Sequence, residues 1–322
     1  MPHAIRIHEQ GAPEVMRWEE VPEVTPSAGE VRLRQTAIGL NFIDVYQRNG
    51  GYPIKTPATI GMEATGIVEA VGDGVTVVKK GDRVGYVMGP PGAYAESRVY
   101  PAERLIPLPD DITDQQAAGM MLKGLTVSYL IRRTFPVQKG QTVLVHAAAG
   151  GVGLIACQWL KQLGATVIGT VSTDAKAELA RAHGCDHPII YTRENFADRV
   201  SEITGGLGVP VVYDGVGADT FDGSLASLAR FGMLVSFGAS SGAAPAVPGS
   251  ALAPKAGYFT RPGLGPHTAT RELTLDIANA LFDAVRKGVK IEINQTYALS
   301  DAVKAHTALE ARQTTGSTVF TV

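Results

Sequence analysis

The stretch from residue 142 to residue 164 constrains the fold of this chain more than any other. It begins with the β-branched apolar run Thr142-Val-Leu-Val145, passes through a turn of small residues that contains Gly150, Gly151 and Gly153, and ends in apolar residues at helical spacing. This order predicts a strand, a tight turn and a helix. Glycines let the backbone turn sharply and let a diphosphate approach the unpaired amides of the first helical turn. The stretch therefore predicts a dinucleotide-binding βαβ unit.

The segments that follow extend this pattern into a sheet. Further apolar strands are predicted at residues 166–171, 187–192, 209–214 and 232–238, and they alternate with helical stretches around residues 174–183, 194–203 and 218–230. This rhythm is typical of the α/β class with a doubly wound parallel sheet. The turn reads Ala-Ala-Gly-Gly-Val-Gly rather than the usual G-x-G-x-x-G, so a turn without a ligand is the alternative. The ordered strands favour a cofactor site.

The end of the second predicted strand indicates which dinucleotide is preferred. An NAD-specific site places Asp or Glu there, about 20 residues after the glycines, to hold the ribose 2′-hydroxyl. Here the strand ends in Ser172 and Thr173, and Lys176 follows one turn into the next predicted helix. Hydroxyls and an ammonium can bind and neutralise a 2′-phosphate, so the sequence predicts NADPH rather than NADH. We expect Asp174, the one carboxylate nearby, to cap that helix.

Charge and composition exclude several classes of protein. With 29 Lys and Arg against 31 Asp and Glu, the net charge of −2 favours neither a nucleic acid nor an anionic membrane as partner. No apolar run is long enough for a membrane span and the first residues lack a signal-peptide pattern, so the expected location is the cytoplasm. The two cysteines, Cys157 and Cys185, support neither a disulfide framework nor a Cys-rich zinc site, and we expect both to be reduced.

The 322 residues suit two domains. Residues 1–124 have short predicted strands and frequent turns, which indicates a partly open β-barrel. A helix around residues 113–135 leads into a cofactor domain at 125–264. The tail, residues 265–322, has no place left in the cofactor sheet, so we expect it to complete the first domain and leave the nicotinamide in a cleft between the two lobes. The proline-containing segment 241–254 is the candidate for a mobile loop.

Six motifs carry a resemblance to a known family. They lie at residues 38–46, 61–72, 80–84, 122–126, 146–153 and 237–242. Through them the chain resembles the quinone oxidoreductase (zeta-crystallin-like) branch of the medium-chain dehydrogenase/reductase superfamily. The resemblance implies a GroES-like catalytic domain beside a Rossmann domain, NADPH as cofactor, a small-molecule quinone as substrate, and a homodimer. A predicted edge strand at residues 257–260 is consistent with pairing between two copies.

The same resemblance shows which metal ligands are missing. Zinc alcohol dehydrogenases of the superfamily have a Cys near the position of Asn41 and a His at the position of Met62. An amide and a thioether are poor zinc ligands, so we predict no metal. Without a Lewis acid the substrate should accept hydride readily, as a quinone does. Glu63 is interpreted as a structural carboxylate, and a role next to the reacting groups is the alternative.

The resemblance also assigns site residues. Asn41, Tyr46 and Tyr52 are the candidate catalytic residues beside the nicotinamide, with Asp44 nearby. The cofactor candidates are Thr126, Ala149, Gly150, Gly151 and Val152 for the diphosphate, Ser172, Lys176 and Tyr191 for the 2′-phosphate, Asn41, Phe237, Gly238 and Ser240 for the nicotinamide half, and Arg312 for a phosphate. The alternatives are packing aromatics at Tyr46, Tyr52 and Tyr191, and a solvated helix end at Arg312.

Three functions remain open from the sequence. The first is an NADPH:quinone oxidoreductase, and the second is an NADPH-dependent reductase of activated alkenes, which needs a proton delivered to carbon by an acid such as Tyr46 or Tyr52. The third is a non-catalytic use of the fold, as a crystallin or in RNA binding. The glycine-rich cofactor site argues against a purely structural role, and the near-neutral charge gives RNA no evident basic surface.

Overall fold

The computed structural model describes all 322 residues, which form two compact units. The first unit comprises Met1–Leu125, Gly265–Asp283 and Ile291–Val322, and the second comprises Thr126–Leu264 and Ala284–Lys290. Each unit has a hydrophobic core of its own. None of the helices has the length and apolar character needed to cross a membrane.

Short strands dominate the first part of the chain. Its elements are β1 (His3–Ile7), β2 (Met16–Glu20), β3 (Glu30–Leu40), α1 (Phe42–Asn49), β4 (Ala58–Thr59), β5 (Glu63–Val71), β6 (Arg83–Val87), β7 (Ser97–Pro101), β8 (Ile106–Pro107) and α2 (Asp114–Tyr129). A π-helical turn, Leu130–Thr134, continues α2, so helical backbone covers nearly the stretch that the sequence predicts.

Strands and helices alternate in the middle of the chain. The elements are β9 (Thr142–Val145), α3 (Gly151–Gln162), β10 (Thr166–Val171), α4 (Asp174–Ala182), β11 (His187–Ile190), α5 (Phe196–Ile203), β12 (Val209–Asp214), α6 (Phe221–Ala226), β13 (Leu228–Ser236), α7 (Gly249–Leu252) and β14 (Tyr258–Thr260). The chain ends with α8 (Leu264–His267), α9 (Arg271–Arg286), β15 (Ile293–Ala298), α10 (Ala302–Glu310) and β16 (Ser317–Thr321).

The first unit is built from two sheets. A seven-stranded sheet has the order β15-β16-β3-β5-β6-β8, with β7 also paired to β3, and a three-stranded sheet has the order β2-β1-β4. Strand β16 pairs antiparallel with β3, so the end of the chain is part of the sheet that the beginning forms. Apolar side chains such as Leu33, Val84 and Phe320 fill the core.

The second unit is the doubly wound parallel sheet that the sequence predicts. Its six strands run parallel in the order β11-β10-β9-β12-β13-β14, and β9, which precedes the glycine-rich turn, lies in the middle. Leu144, Ile168 and Val212 from neighbouring strands are fully buried. Both cysteines are buried and free.

One predicted boundary in this unit is wrong. A helix was expected over residues 218–230, but α6 ends at Ala226 and β13 begins at Leu228. Leu228 pairs with Val209 and is buried, after which the register shifts before Met233 pairs with Val211. Phe231 has a φ of 63° within this irregular stretch. Burial of Leu228 beside β12 therefore overrides the helical pattern of the local sequence.

Candidate active site

The turn between β9 and α3 forms an anion cradle. Gly150 is the extended residue before the helix, and the first helical hydrogen bond joins the Leu154 amide to the Gly150 carbonyl at 2.9 Å. The amides of residues 151–153 therefore precede the hydrogen-bonded ladder. A Cβ on Gly153 would lie 2.3 Å from the Ala147 carbonyl oxygen, so only glycine fits there. The turn fits a dinucleotide diphosphate at this helix N-terminus.

A buried polar network holds this turn in place. His146 Nδ1 is 2.9 Å from Thr170 Oγ1, and His146 Nε2 is 2.9 Å from Ser224 Oγ. The Ser224 hydroxyl donates to Asp214 Oδ2 at 2.9 Å, and Asp214 Oδ1 accepts from the Gly217 amide at 3.0 Å. Burial lowers the pKa of His146, so its ring is neutral at pH 7. The network joins the carboxyl ends of β9, β10 and β12.

The predicted 2′-phosphate residues lie at the carboxyl ends of β10 and β11. Val171 pairs with Ile190 in register, which places Ser172 and Tyr191 just beyond adjacent strand ends. Ser172 and Lys176 are half-buried, and Tyr191 is exposed. No Asp or Glu stands at the tip of β10 itself.

The expectation that Asp174 caps α4 is wrong. Thr173 is the cap, because its hydroxyl accepts a hydrogen bond from the Lys176 amide at 3.3 Å. Asp174 instead accepts two hydrogen bonds from Arg193, at 2.6 and 3.1 Å. A bidentate guanidinium competes successfully with backbone amides for a carboxylate. The one nearby acid is therefore already neutralised, which suits a site for a phosphate.

The remaining cofactor candidates of the second unit flank the same sheet. Phe237 and Gly238 directly follow β13; the Phe237 amide donates to the Asp214 carbonyl at 2.8 Å, and a Cβ on Gly238 would lie 2.4 Å from the Gly215 carbonyl oxygen. The Ser240 amide donates to the Gly215 carbonyl at 3.3 Å. Thr126, in α2, and Ala149, in the glycine-rich turn, are buried.

In the first unit, Asn41 is the cap residue before α1, and hydrogen bonds hold both its backbone and its side chain. Its amide donates to Asp44 Oδ2 at 2.9 Å, and its side-chain Nδ2 donates to Glu63 Oε2 at 2.7 Å. Burial raises the pKa of Asp44 to about 7, and the hydrogen bonds from Asn41 and Tyr94 act against that shift. Tyr94 in turn contacts His306, since its hydroxyl lies 3.0 Å from His306 Nε2.

Glu63 is a fully buried connector between three segments. Besides Asn41, its carboxylate accepts from the Leu122 amide at 2.6 Å and lies 3.7 Å from Lys123 Nζ. Lys123 is itself buried and donates to the Leu40 carbonyl at 3.1 Å. Burial raises the pKa of Glu63, and the charge of Lys123 opposes that rise. This geometry agrees with the structural interpretation of Glu63.

The two candidate tyrosines belong to a small aromatic cluster. Tyr46 and Tyr52 meet edge to face with ring centroids 5.2 Å apart, and Phe42 lies 6.2 Å from Tyr46. Tyr52 is 44% exposed, so its ring is open to a ligand. A flat conjugated molecule can stack on such a surface.

Arg312 follows α10 in the first unit. Its backbone φ is 58°, in the left-handed region that residues other than glycine rarely adopt. It is exposed. The candidates thus divide between the units: Asn41, Tyr46, Tyr52 and Arg312 belong to the first unit, and all the other candidates belong to the second.

Sequence reasoning missed Lys123, His146 and Asp214 as parts of the two networks. Lys123 left a signal, since it is a lone cation within the apolar run of α2. His146 and Asp214 left only their positions at the ends of predicted strands. Nowhere in the structure do three or more His, Cys, Asp or Glu side chains form a group that could hold a metal ion.

Comparisons with known proteins identify the family to which this architecture belongs. The family described as alcohol dehydrogenase GroES-like domain matches residues 27–110, and the zinc-binding dehydrogenase family matches residues 151–264. A quinone oxidoreductase of Pseudomonas aeruginosa is 51% identical over 99% of both chains. The chain belongs to the quinone oxidoreductases of the medium-chain dehydrogenase/reductase superfamily. The predicted fold class, with its Rossmann sheet and GroES-like domain, is confirmed.

Two further relatives bear on the chemistry of the family. The structure of Escherichia coli quinone oxidoreductase complexed with NADPH matches with a TM-score of 0.97 and 45% identity over 99% of this chain and all of the other. A 2-haloacrylate reductase of a Burkholderia species is 46% identical over 98% of this chain and 97% of its own. The family therefore includes enzymes named for two kinds of acceptor.

Proposed function

We propose that this protein reduces a quinone with a hydride that NADPH supplies when bound, and that it does so without a metal. It is an NADPH-dependent oxidoreductase of the quinone oxidoreductase family. The observation that carries the proposal is the amide cradle at residues 151–153, where Gly153 lets the start of the helix lie close to the Ala147 carbonyl. The absence of zinc is part of the proposal; Asn41 and Met62 at the superfamily's zinc-ligand positions support it.

The chain's own residues supply binding and orientation. Residues 149–152 and Thr126 hold the diphosphate, while Ser172, Lys176 and Tyr191 hold the 2′-phosphate and Arg312 adds a further cation. Asn41, fixed by Glu63, contributes a polar contact beside the acceptor, and Tyr52 stacks on its ring. A quinone becomes aromatic on reduction and takes its proton from water, so positioning provides most of the catalysis.

The test is NADPH oxidation with a panel of quinones and enones, using protein treated with a chelator. We expect quinone reduction to persist after the treatment, and Tyr52→Ala to raise the KM for the quinone by about 2- to 13-fold, the effect of losing roughly 0.5–1.5 kcal/mol of stacking. Trp18→Ala, which removes an exposed aromatic ring of the same unit on β2, is the matched control. Activity that disappears with the chelator and returns with zinc would contradict the proposal.

The similarity to 2-haloacrylate reductase favours reduction of activated alkenes as a second function. That reaction needs a proton on carbon, which the hydroxyl of Tyr46 or Tyr52 would donate. Tyr46→Phe and Tyr52→Phe should therefore slow enone reduction and spare quinone reduction. If neither substitution slows enone reduction, water is the proton source, and neither reaction needs an acid from the protein.

We also propose a homodimer. Strand β14 is at one edge of the parallel sheet and pairs only with β13, and Tyr258 on it is 55% exposed. Pairing of β14 with its copy across a two-fold axis would satisfy the open backbone groups. Light scattering should give twice the chain mass of 33.9 kDa at micromolar concentration, and a monomer mass would rule the dimer out.

Location in the cytoplasm stays a prediction of the sequence.

A further inference from the structure

A cavity of about 400 Å³ lies in the second unit beside the loop proposed to hold the nicotinamide. Residues 243–247, Phe259 and Arg261 line it. The walls are Ala, Pro, Val and Phe, so Arg261 is the only charged side chain in the lining. A mostly apolar cavity with one convergent polar group is typical of a site for a small organic molecule.

The guanidinium of Arg261 is held in place by the backbone. Its Nη1 donates to the Ser236 carbonyl at 3.2 Å, to the Ser236 hydroxyl at 3.0 Å and to the Gly238 carbonyl at 2.6 Å. These acceptors stand at the carboxyl end of β13, the edge of a parallel sheet at which ligands bind. Nε and Nη2 take no part in these contacts and retain their own N–H donors. The charge is therefore oriented before any ligand arrives.

We propose that this cavity receives the anionic substituent of the acceptor, and that Arg261 thereby selects quinones that carry a carboxylate or a sulfonate. The inference rests on the proposed function for the reaction itself. The apolar wall packs on the carbon atoms next to the substituent, and the fixed guanidinium receives the anion through charge-assisted hydrogen bonds. Arg261 donates to the carbonyl of Gly238, which belongs to the loop proposed to hold the nicotinamide. A substituent bound at Arg261 therefore lies next to that loop.

The kinetic test compares 1,2-naphthoquinone with 1,2-naphthoquinone-4-sulfonate. Arg261→Gln should raise the KM for the sulfonate about 10- to 100-fold, the value of one charge-assisted contact, and change the KM for the neutral quinone less than about 3-fold. Arg230→Gln removes an exposed guanidinium near the other end of β13 and should alter neither. An equal rise for both quinones in Arg261→Gln would overturn the inference.

A binding test separates this inference from the proposed function. 2-Naphthalenesulfonate, which accepts no hydride, should bind the wild-type protein, and its Kd should rise about 10-fold or more in Arg261→Gln. The Kd for NADPH should stay within about 2-fold, which shows that the loop at Gly238 is intact. If the wild type reduces neither quinone yet binds the sulfonate through Arg261, the proposed function fails and the anion site stands. Equal sulfonate binding by both proteins would refute the anion site.

Discussion

Glu63→Ala is expected to lower the free energy of unfolding by about 3–5 kcal/mol, because it leaves the buried Lys123 ammonium without its counter-charge. The Leu122 amide and the Asn41 side chain lose an acceptor in the same variant. Chemical denaturation, followed by a probe of the first unit, measures the loss. A matched control is Glu69→Ala on the same strand, whose carboxylate pairs with Arg32 and Arg34 near the surface; it should cost at most about 1 kcal/mol.

A double variant distinguishes charge from packing at this position. Glu63→Leu together with Lys123→Met removes both charges and retains apolar volume, so it should recover much of the lost stability. In the double variant the Asn41 side chain still lacks the Glu63 carboxylate as its acceptor. The catalytic rate of the double variant should therefore stay low even where its fold is restored. A Glu63→Ala variant as stable as Glu69→Ala would show that the pair contributes little.

The combination of Ser172→Asp and Lys176→Ala is expected to reverse the cofactor preference. Loss of Lys176 should weaken NADPH about 10- to 150-fold, and the new carboxylate should repel the 2′-phosphate while offering the ribose hydroxyls of NADH an acceptor. The ratio of the two affinities should shift by roughly 1,000-fold or more. The Lys176 amide still donates to Thr173 in this variant, so the start of α4 is preserved.

Titrating both cofactors by fluorescence checks this result. Lys161→Ala is the control, because that lysine pairs with Asp186 and lies near the far end of α3; it should leave both affinities unchanged. Arg312→Gln should weaken NADPH more than NADH if Arg312 reaches the 2′-phosphate. Equal weakening of both cofactors in Lys176→Ala would mean that the lysine serves the diphosphate or the structure.

Sequence alone was enough for the cofactor unit, because the features that define it are local. The turn at Gly150–Gly153, the helix after it and the strand that ends at Val171 lie within about 30 consecutive residues, the length of one βαβ unit. Backbone geometry and helix capping act over such distances. The preference for NADPH follows from the same local stretch, whereas the family resemblance rests on six motifs spread over residues 38–242. Even here the sequence did not show which of two adjacent polar residues, Thr173 or Asp174, caps α4. Arg193, from another segment, binds the Asp174 carboxylate, and Thr173 is the cap.

Only the tertiary structure decided how the buried charges pair. Glu63 meets Asn41, Leu122 and Lys123 because β5, the start of α1 and α2 fold against one another, and Arg48 binds Glu310 with a separation of 262 residues along the chain. The fixed guanidinium of Arg261 likewise depends on β13 lying beside β14. A buried charge is stable only next to a partner, and no local pattern names a partner that another segment brings.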